Sequence, residues 1–152
     1  MRNEDKPITD KLSVIELMTL TLYGESRGES WEGKIAIAYV ILNRSRLWHK
    51  TIRDVCLAKN QFSCWNSNDY NYAILINLAK AYDANMPNNK ALQLCQQCAE
   101  MAYLAPAEST VDDATFYRVK GTKNKWFDNA VKTGTLVYLK SIKTHEFYKE
   151  AI

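Results

Sequence analysis

The sequence predicts an α+β fold, mainly helical, on three observations. Apolar residues recur at helical spacing from Val14 to Ala102, the period of elements that bury one stripe against a core. Beyond the polar stretch 108–113, aromatic and β-branched residues gather at 115–119, 135–139 and 145–148, the texture of short antiparallel strands. No repeat, low-complexity tract or long linker interrupts the chain. Helices and sheet therefore belong to one domain, assigned to 10–152, behind a polar N-terminal segment, 1–9, expected to be flexible.

The first helix begins at 10 or 13 and ends at 23. Ser13 and Glu16 have capping-box spacing, and Val14, Leu17, Met18, Thr21, Leu22 and Glu25 share one stripe. The second helix, from 30 or 31 to 47, is apolar on nearly every side across 35–42, as a helix surrounded by protein must be. Asn43, Arg44 and Arg46 make its end polar, and cations suit a helix C-terminus. Thr51 can cap a short helix to 57, with Asp54 at its third position. A helix over 70–83 should stop at the turn Asn85-Met86-Pro87-Asn88-Asn89. Ala91, Leu94, Cys95, Cys98, Met101 and Ala102 mark another, closed by Pro106. The stretch 120–133, with Gly121, Trp126 and Asn129, is assigned no element.

A chain of 152 residues, 47% hydrophobic and 24% charged, can bury a core without staples. Its longest strongly apolar run, 35–42, is too short to cross a bilayer, so no stable membrane insertion is expected. The polar first six residues lack the apolar core of a signal peptide, which predicts a protein made in the cytoplasm without its own export address. A formal charge of +3 does not demand nucleic acid, and none is expected as a partner. The lysines concentrate late, at 120, 123, 125, 132, 140, 143 and 149, so one end of the molecule would attract negative charge. Cys56, Cys64, Cys95 and Cys98 are read as buried thiols, a Cys56–Cys64 bridge being the alternative in an oxidising compartment. No ligand-like spacing joins them to His49 or His145, so neither a metal nor another cofactor is expected.

One stretch stands apart, Tyr23-Gly24-Glu25-Ser26-Arg27-Gly28-Glu29. Gly24 favours ending the first helix, Gly28 gives the backbone a second freedom, and Ser30 can cap the next helix. Glu25 would then continue an apolar face at a helix end, where shelter raises a carboxyl pKa and makes a proton donor near neutral pH. A surface glutamate in a helix–helix turn is the plainer reading of the same spacing. Further on, Asn60-Gln61-Phe62-Ser63-Cys64-Trp65 sets amides, a hydroxyl and aromatics side by side. Such a set can line a sugar site or form an ordinary loop with buried aromatics.

Taken together these residues resemble the SleB-like cell wall hydrolase family, catalytic domains that cut peptidoglycan glycan strands in spore germination and phage-type lysis. The 23–29 stretch is similar to that family's YGEARGE signature. Glu32-Gly33, Ala38-Tyr39-Val40-Ile41-Leu42-Asn43-Arg44, Gln61-Phe62-Ser63-Cys64, Thr115-Phe116-Tyr117 and Lys143-Thr144-His145-Glu146-Phe147-Tyr148 extend the likeness, in the family's order, from about 14 to 148. Phe116 departs from it, since the family often carries histidine there.

The resemblance implies a lysozyme-like helical lobe and a small antiparallel sheet lobe flanking a glycan cleft, with Glu25 as the catalytic acid. The reaction it implies is cleavage of the β-1,4 bond between N-acetylmuramic acid and N-acetylglucosamine, by lytic transglycosylation if Glu25 acts alone as acid and then base. Hydrolysis would instead want a second carboxylate within about 5 to 9.5 Å. Glu29 is the first candidate, then Glu32, with Asp69, Asp112 and Asp113 more remote; capping the second helix or pairing with Arg27 is the alternative role for Glu29. Gln61, Ser63 and Tyr117 are expected to contact sugar or position its acetamido group, and Trp126 and Asn129 to form the cleft wall. Peptidoglycan strands are the expected partner, the protein a monomer, and its setting a phage-type lysin that reaches the cell wall after holin-dependent release. The alternatives are a muramidase-type hydrolase using water and a non-catalytic glycan-binding lysis accessory protein. A peptidase built on Cys64 and His145 lacks a recognisable nucleophile motif.

Overall fold

The structure is a computed structural model that describes residues 1–82 and 89–151. Its helical lobe comprises α1 (Lys6–Asp10), α2 (Val14–Ser26), α3 (Trp31–Trp48), α4 (Ile52–Leu57), α5 (Tyr72–Lys80) and α6 (Lys90–Leu104). The sheet lobe holds β1 (Phe116–Val119), α7 (Lys125–Lys132), β2 (Leu136–Ile142) and β3 (His145–Glu150). The expected turn at 85–89 lies outside the described residues, Asn89 excepted, which caps α6 through its side chain.

Local chemistry fixes the helix starts. The Ser13 N–H donates to Glu16 Oε1 at 2.8 Å and the Glu16 N–H to Ser13 Oγ at 3.1 Å, closing the capping box of α2. Ser30 and Thr51 receive the Gly33 and Asp54 N–H groups at the heads of α3 and α4. α3 carries a continuous buried run from Gly33 to Ile41 and packs, with α2, on α6. Small buried residues on α6, Cys95, Cys98, Ala99 and Ala102, make room for that packing. The core is thus a helical cluster around the middle of α3.

Two segments differ from the expectation. Residues 1–9 do not hang free of the domain: they form a 3₁₀ turn at Asn3–Asp5 and most of α1, with Asp5 and Thr9 buried. The Tyr72 hydroxyl donates to Asp5, the Arg2 N–H donates to Tyr72 Oη at 3.0 Å, and Arg53 donates to the Thr9 and Leu12 carbonyls. The unassigned stretch 120–133 contains α7, started by Asn124, whose Oδ1 accepts the Phe127 N–H at 2.9 Å.

The strand order is β1-β3-β2, all antiparallel, with Tyr117 opposite Phe147 and Val119 opposite His145. A bulge between Tyr138 and Lys140 bends β2. Strand alternation divides the sheet. Tyr117 and Phe147 join the main core, whereas Phe116 and Tyr148 join a second cluster with Phe127, Ala130 and Leu136 under α7. The sheet is therefore covered on both faces.

Candidate active site

The site is built at the junction of three segments: the last turn of α2, the 3₁₀ turn at Ser63–Trp65, and β1. α2 does not end at Gly24 as the sequence suggests; it continues to Ser26, and Glu25 lies inside its final turn. Gly24 serves another purpose. A Cβ there would stand 2.6 Å from Cys64 Cβ, 2.8 Å from its Sγ and 3.0 Å from Leu75 Cδ1, so only glycine lets the 63–65 turn lie directly on the helix. The Trp65 indole N–H, which donates to Thr21 Oγ1 at 3.0 Å one turn earlier, fixes that contact. Gly28 has neither a positive φ nor a crowded Cβ position, and the turn into α3 does not exploit its freedom.

This close approach half-buries Glu25. Burial, foremost, and then the negative charge of Asp69 push its carboxyl up to about 7, against the opposing pull of the Ser63 backbone N–H and the Arg44 guanidinium. Asp69 is itself held by the Asn71 N–H, which donates to its Oδ1 at 2.8 Å. From the sheet side comes Tyr117, half-buried, its ring 5.5 Å from that of His145 and 6.0 Å from that of Phe147. Burial and then the Glu25 charge drive its hydroxyl well above the ordinary phenol range, so it remains a neutral hydrogen-bonding group. A proton held on a sheltered carboxyl at neutral pH, with polar groups ready to receive the charge left when it departs, is the arrangement of a general acid.

The residues singled out in the sequence divide here. Glu25, Ser63 and Tyr117 converge, and Gln61 lies exposed two residues before Ser63. Glu29 takes neither of its expected structural roles. Ser30 caps α3, while Arg27 donates to the Tyr23 carbonyl and stacks on the Tyr23 ring. The Glu29 carboxylate instead accepts the Thr144 hydroxyl at 3.1 Å, tying the α2–α3 turn to the β2–β3 turn. Asp69, ranked behind Glu29 on sequence distance, is the carboxylate whose charge acts on Glu25. Trp126 and Asn129 lie exposed on α7. Trp126 is 58% exposed and packs on Phe116 at 5.5 Å and Phe127 at 6.1 Å, with the cluster across the sheet from Tyr117.

Arg44 is the participant that sequence reasoning read only as a helix-terminal cation. It is 4% exposed and its Nε donates to the Thr115 carbonyl at 2.7 Å. The signals available were its place four residues beyond Val40 on an apolar helix and its position at the end of the 38–44 run that extends the family likeness. Cys56, Cys64, Cys95 and Cys98 are all free and buried, so no Cys56–Cys64 bridge forms. Among the described residues no group of three or more His, Cys, Asp or Glu side chains gathers as metal ligands.

A spore cortex-lytic enzyme of Oceanobacillus iheyensis is 45% identical over 51 residues, 32% of this chain and 18% of that protein, so the chain spans under a fifth of this curated relative. The catalytic domain of the germination-specific lytic transglycosylase SleB from Bacillus anthracis aligns with a TM-score of 0.62 and 24% identity, covering 92% of this chain and 98% of that domain. The latter shows the fold: a lysozyme-like helical lobe with a small sheet lobe. The family model described as Cell Wall Hydrolase matches residues 28–148, a stretch that begins just after Glu25. With that match running over most of its length, the chain belongs to the cell wall hydrolase family.

Proposed function

We propose that the protein cleaves peptidoglycan glycan strands at the β-1,4 bond between N-acetylmuramic acid and N-acetylglucosamine, as a lytic transglycosylase with Glu25 as its acid and then its base. The observation that carries this is the half-buried Glu25 carboxyl, raised to about 7 and facing Ser63 and Tyr117 where the helical and sheet lobes meet. Family membership supports the substrate, and the relatives' names, a spore cortex-lytic enzyme and a lytic transglycosylase, support the reaction.

In this mechanism protonated Glu25 gives its proton to the glycosidic oxygen as the C1–O bond breaks. The N-acetylglucosamine side leaves as an alcohol and an oxocarbenium-like centre develops at C1 of the muramic residue. The Ser63 N–H and the Arg44 charge favour the carboxylate that remains. That carboxylate then takes the proton of the sugar's own 6-hydroxyl as its oxygen bonds to C1, giving a 1,6-anhydro end and restoring the acid.

Asp69 supports a second reading, hydrolysis by water with two carboxylates, because its charge acts on Glu25. Mass spectrometry of purified peptidoglycan after digestion separates the two. Anhydromuramic ends are expected; reducing ends throughout would replace transglycosylation with hydrolysis.

A further inference from the structure

Arg44 occupies an unusual place for a cation. Its guanidinium lies 5.0 Å from the centre of the Phe62 ring, 5.3 Å from that of Phe116 and 5.1 Å from that of Trp48. Phe62 immediately precedes Ser63, and Thr115 and Phe116 immediately precede Tyr117. Arg44 is thus wedged between the two segments that bring Ser63 and Tyr117 to Glu25, and it is bonded to the second of them. Its Nη1 is buried with no hydrogen-bond partner. A fold that needed only a spacer here would gain by an apolar side chain, since an unmatched buried donor is destabilising.

We propose that Arg44 is a positioning residue for the reaction: clamped between Phe62 and Phe116, it fixes Ser63 and Tyr117 around Glu25 and supplies the positive charge that holds the carboxylate left after proton donation. The inference rests on Glu25 being the acid. Every segment packed around that carboxyl contributes a group to the balance. Asp69, ahead of α5, opposes ionisation; the Ser63 N–H and Arg44 favour it; and Tyr117 on β1 and the Cys64 thiol, both neutral, adjoin it. Arg44 is the cation in that set, and it also feels the negative charge of Glu150.

Titration separates this role from plain packing. The Glu25 carboxyl is followed by carbon-13 NMR in the wild type, Arg44→Lys and Arg44→Gln, and the pH dependence of wall clearing is measured on the same proteins. Glutamine keeps an amide able to donate to the Thr115 carbonyl, so it is the milder way to remove the charge. The expected result is a Glu25 midpoint shifted measurably upward in Arg44→Gln and near the wild-type value in Arg44→Lys. The alkaline limb of activity should move up with it, and kcat should fall about tenfold while binding to wall is kept. A Glu25 midpoint unmoved in Arg44→Gln, whatever happens to stability or rate, would overturn the proposal. Because the titration needs no substrate, its outcome is independent of whether the chain cleaves peptidoglycan. Should Arg44→Gln fail to fold, Phe62→Leu, which loosens the clamp but leaves the charge, replaces it. A fall in kcat with a Glu25 midpoint moved upward, as the Ser63 N–H withdraws, is then expected, and an unchanged kcat and midpoint would overturn the clamp.

Discussion

Glu25 concentrates the chemistry, and its environment has a thermodynamic consequence. The folded protein keeps the Glu25 proton up to about pH 7, whereas an unfolded carboxyl releases it near 4.5. Between those values the native state binds more protons than the unfolded one, so stability falls as pH rises, and the loss persists above pH 7. Glu25→Gln removes the penalty. We expect that variant to be more stable than wild type at pH 8, by up to about 3 kcal/mol, and indistinguishable at pH 4, as thermal melts will show. For activity the sign is set by the protonated form, so the rate should decline as pH rises through about 7. The apolar stripe from Val14 to Leu22 made the position of Glu25 legible in the sequence. Its neighbours were not, because Asp69 and Arg44 reach it only through folding: sequence distance ranked Asp69 behind Glu29, and helix position made Arg44 look like an end-cap cation.

Among the elements, the contact between α2 and the 63–65 turn is the most exacting. Gly24→Ala would drive a methyl into Cys64 and Leu75, and the turn must retreat, taking the Ser63 N–H from Glu25. A loss of about 1–3 kcal/mol in denaturant unfolding is expected, with a fall in kcat beyond what the unfolded fraction explains. Reading Gly24 as a helix terminator followed the usual conformational use of glycine; the structure uses its missing side chain instead, a close approach that sequence spacing does not register. The caps of α2, α3 and α4 were readable because they are local chemistry. α7 went unassigned because it is only eight residues long, too short for its apolar residues Trp126, Phe127, Ala130 and Val131 to repeat a helical period, and its cap, Asn124, lies in a lysine-rich loop. Its placement over the second cluster gives a paired prediction. Tyr117→Phe should lower kcat about tenfold or more, whereas Trp126→Ala should change it by no more than about twofold.

At the scale of the molecule, two lobes meet along the line from Glu25 to Tyr117, and the Glu29–Thr144 hydrogen bond spans the same junction. The α+β architecture was visible in the change of texture after residue 113, whereas the docking of 1–9 was not, since it rests on Tyr72 and Arg53 far along the chain. Lys120, Lys123, Lys125, Lys132, Lys143 and Lys149 are all exposed on the sheet lobe, so binding to an anionic wall should weaken as salt rises from low to physiological strength in a sedimentation assay. Burial raises the thiols of Cys56 and Cys95 to about 12 and that of Cys98 to about 11, and drives that of Cys64 higher still. None should react with an aromatic disulfide reagent until the protein unfolds. The central claim, that a single sheltered carboxyl performs the cleavage, is tested most directly by adding wild type and Glu25→Gln to purified peptidoglycan and measuring clearing and sedimentation together. The account predicts that the variant stays on the wall and clears it at least about a hundredfold more slowly; clearing at the wild-type rate would contradict it.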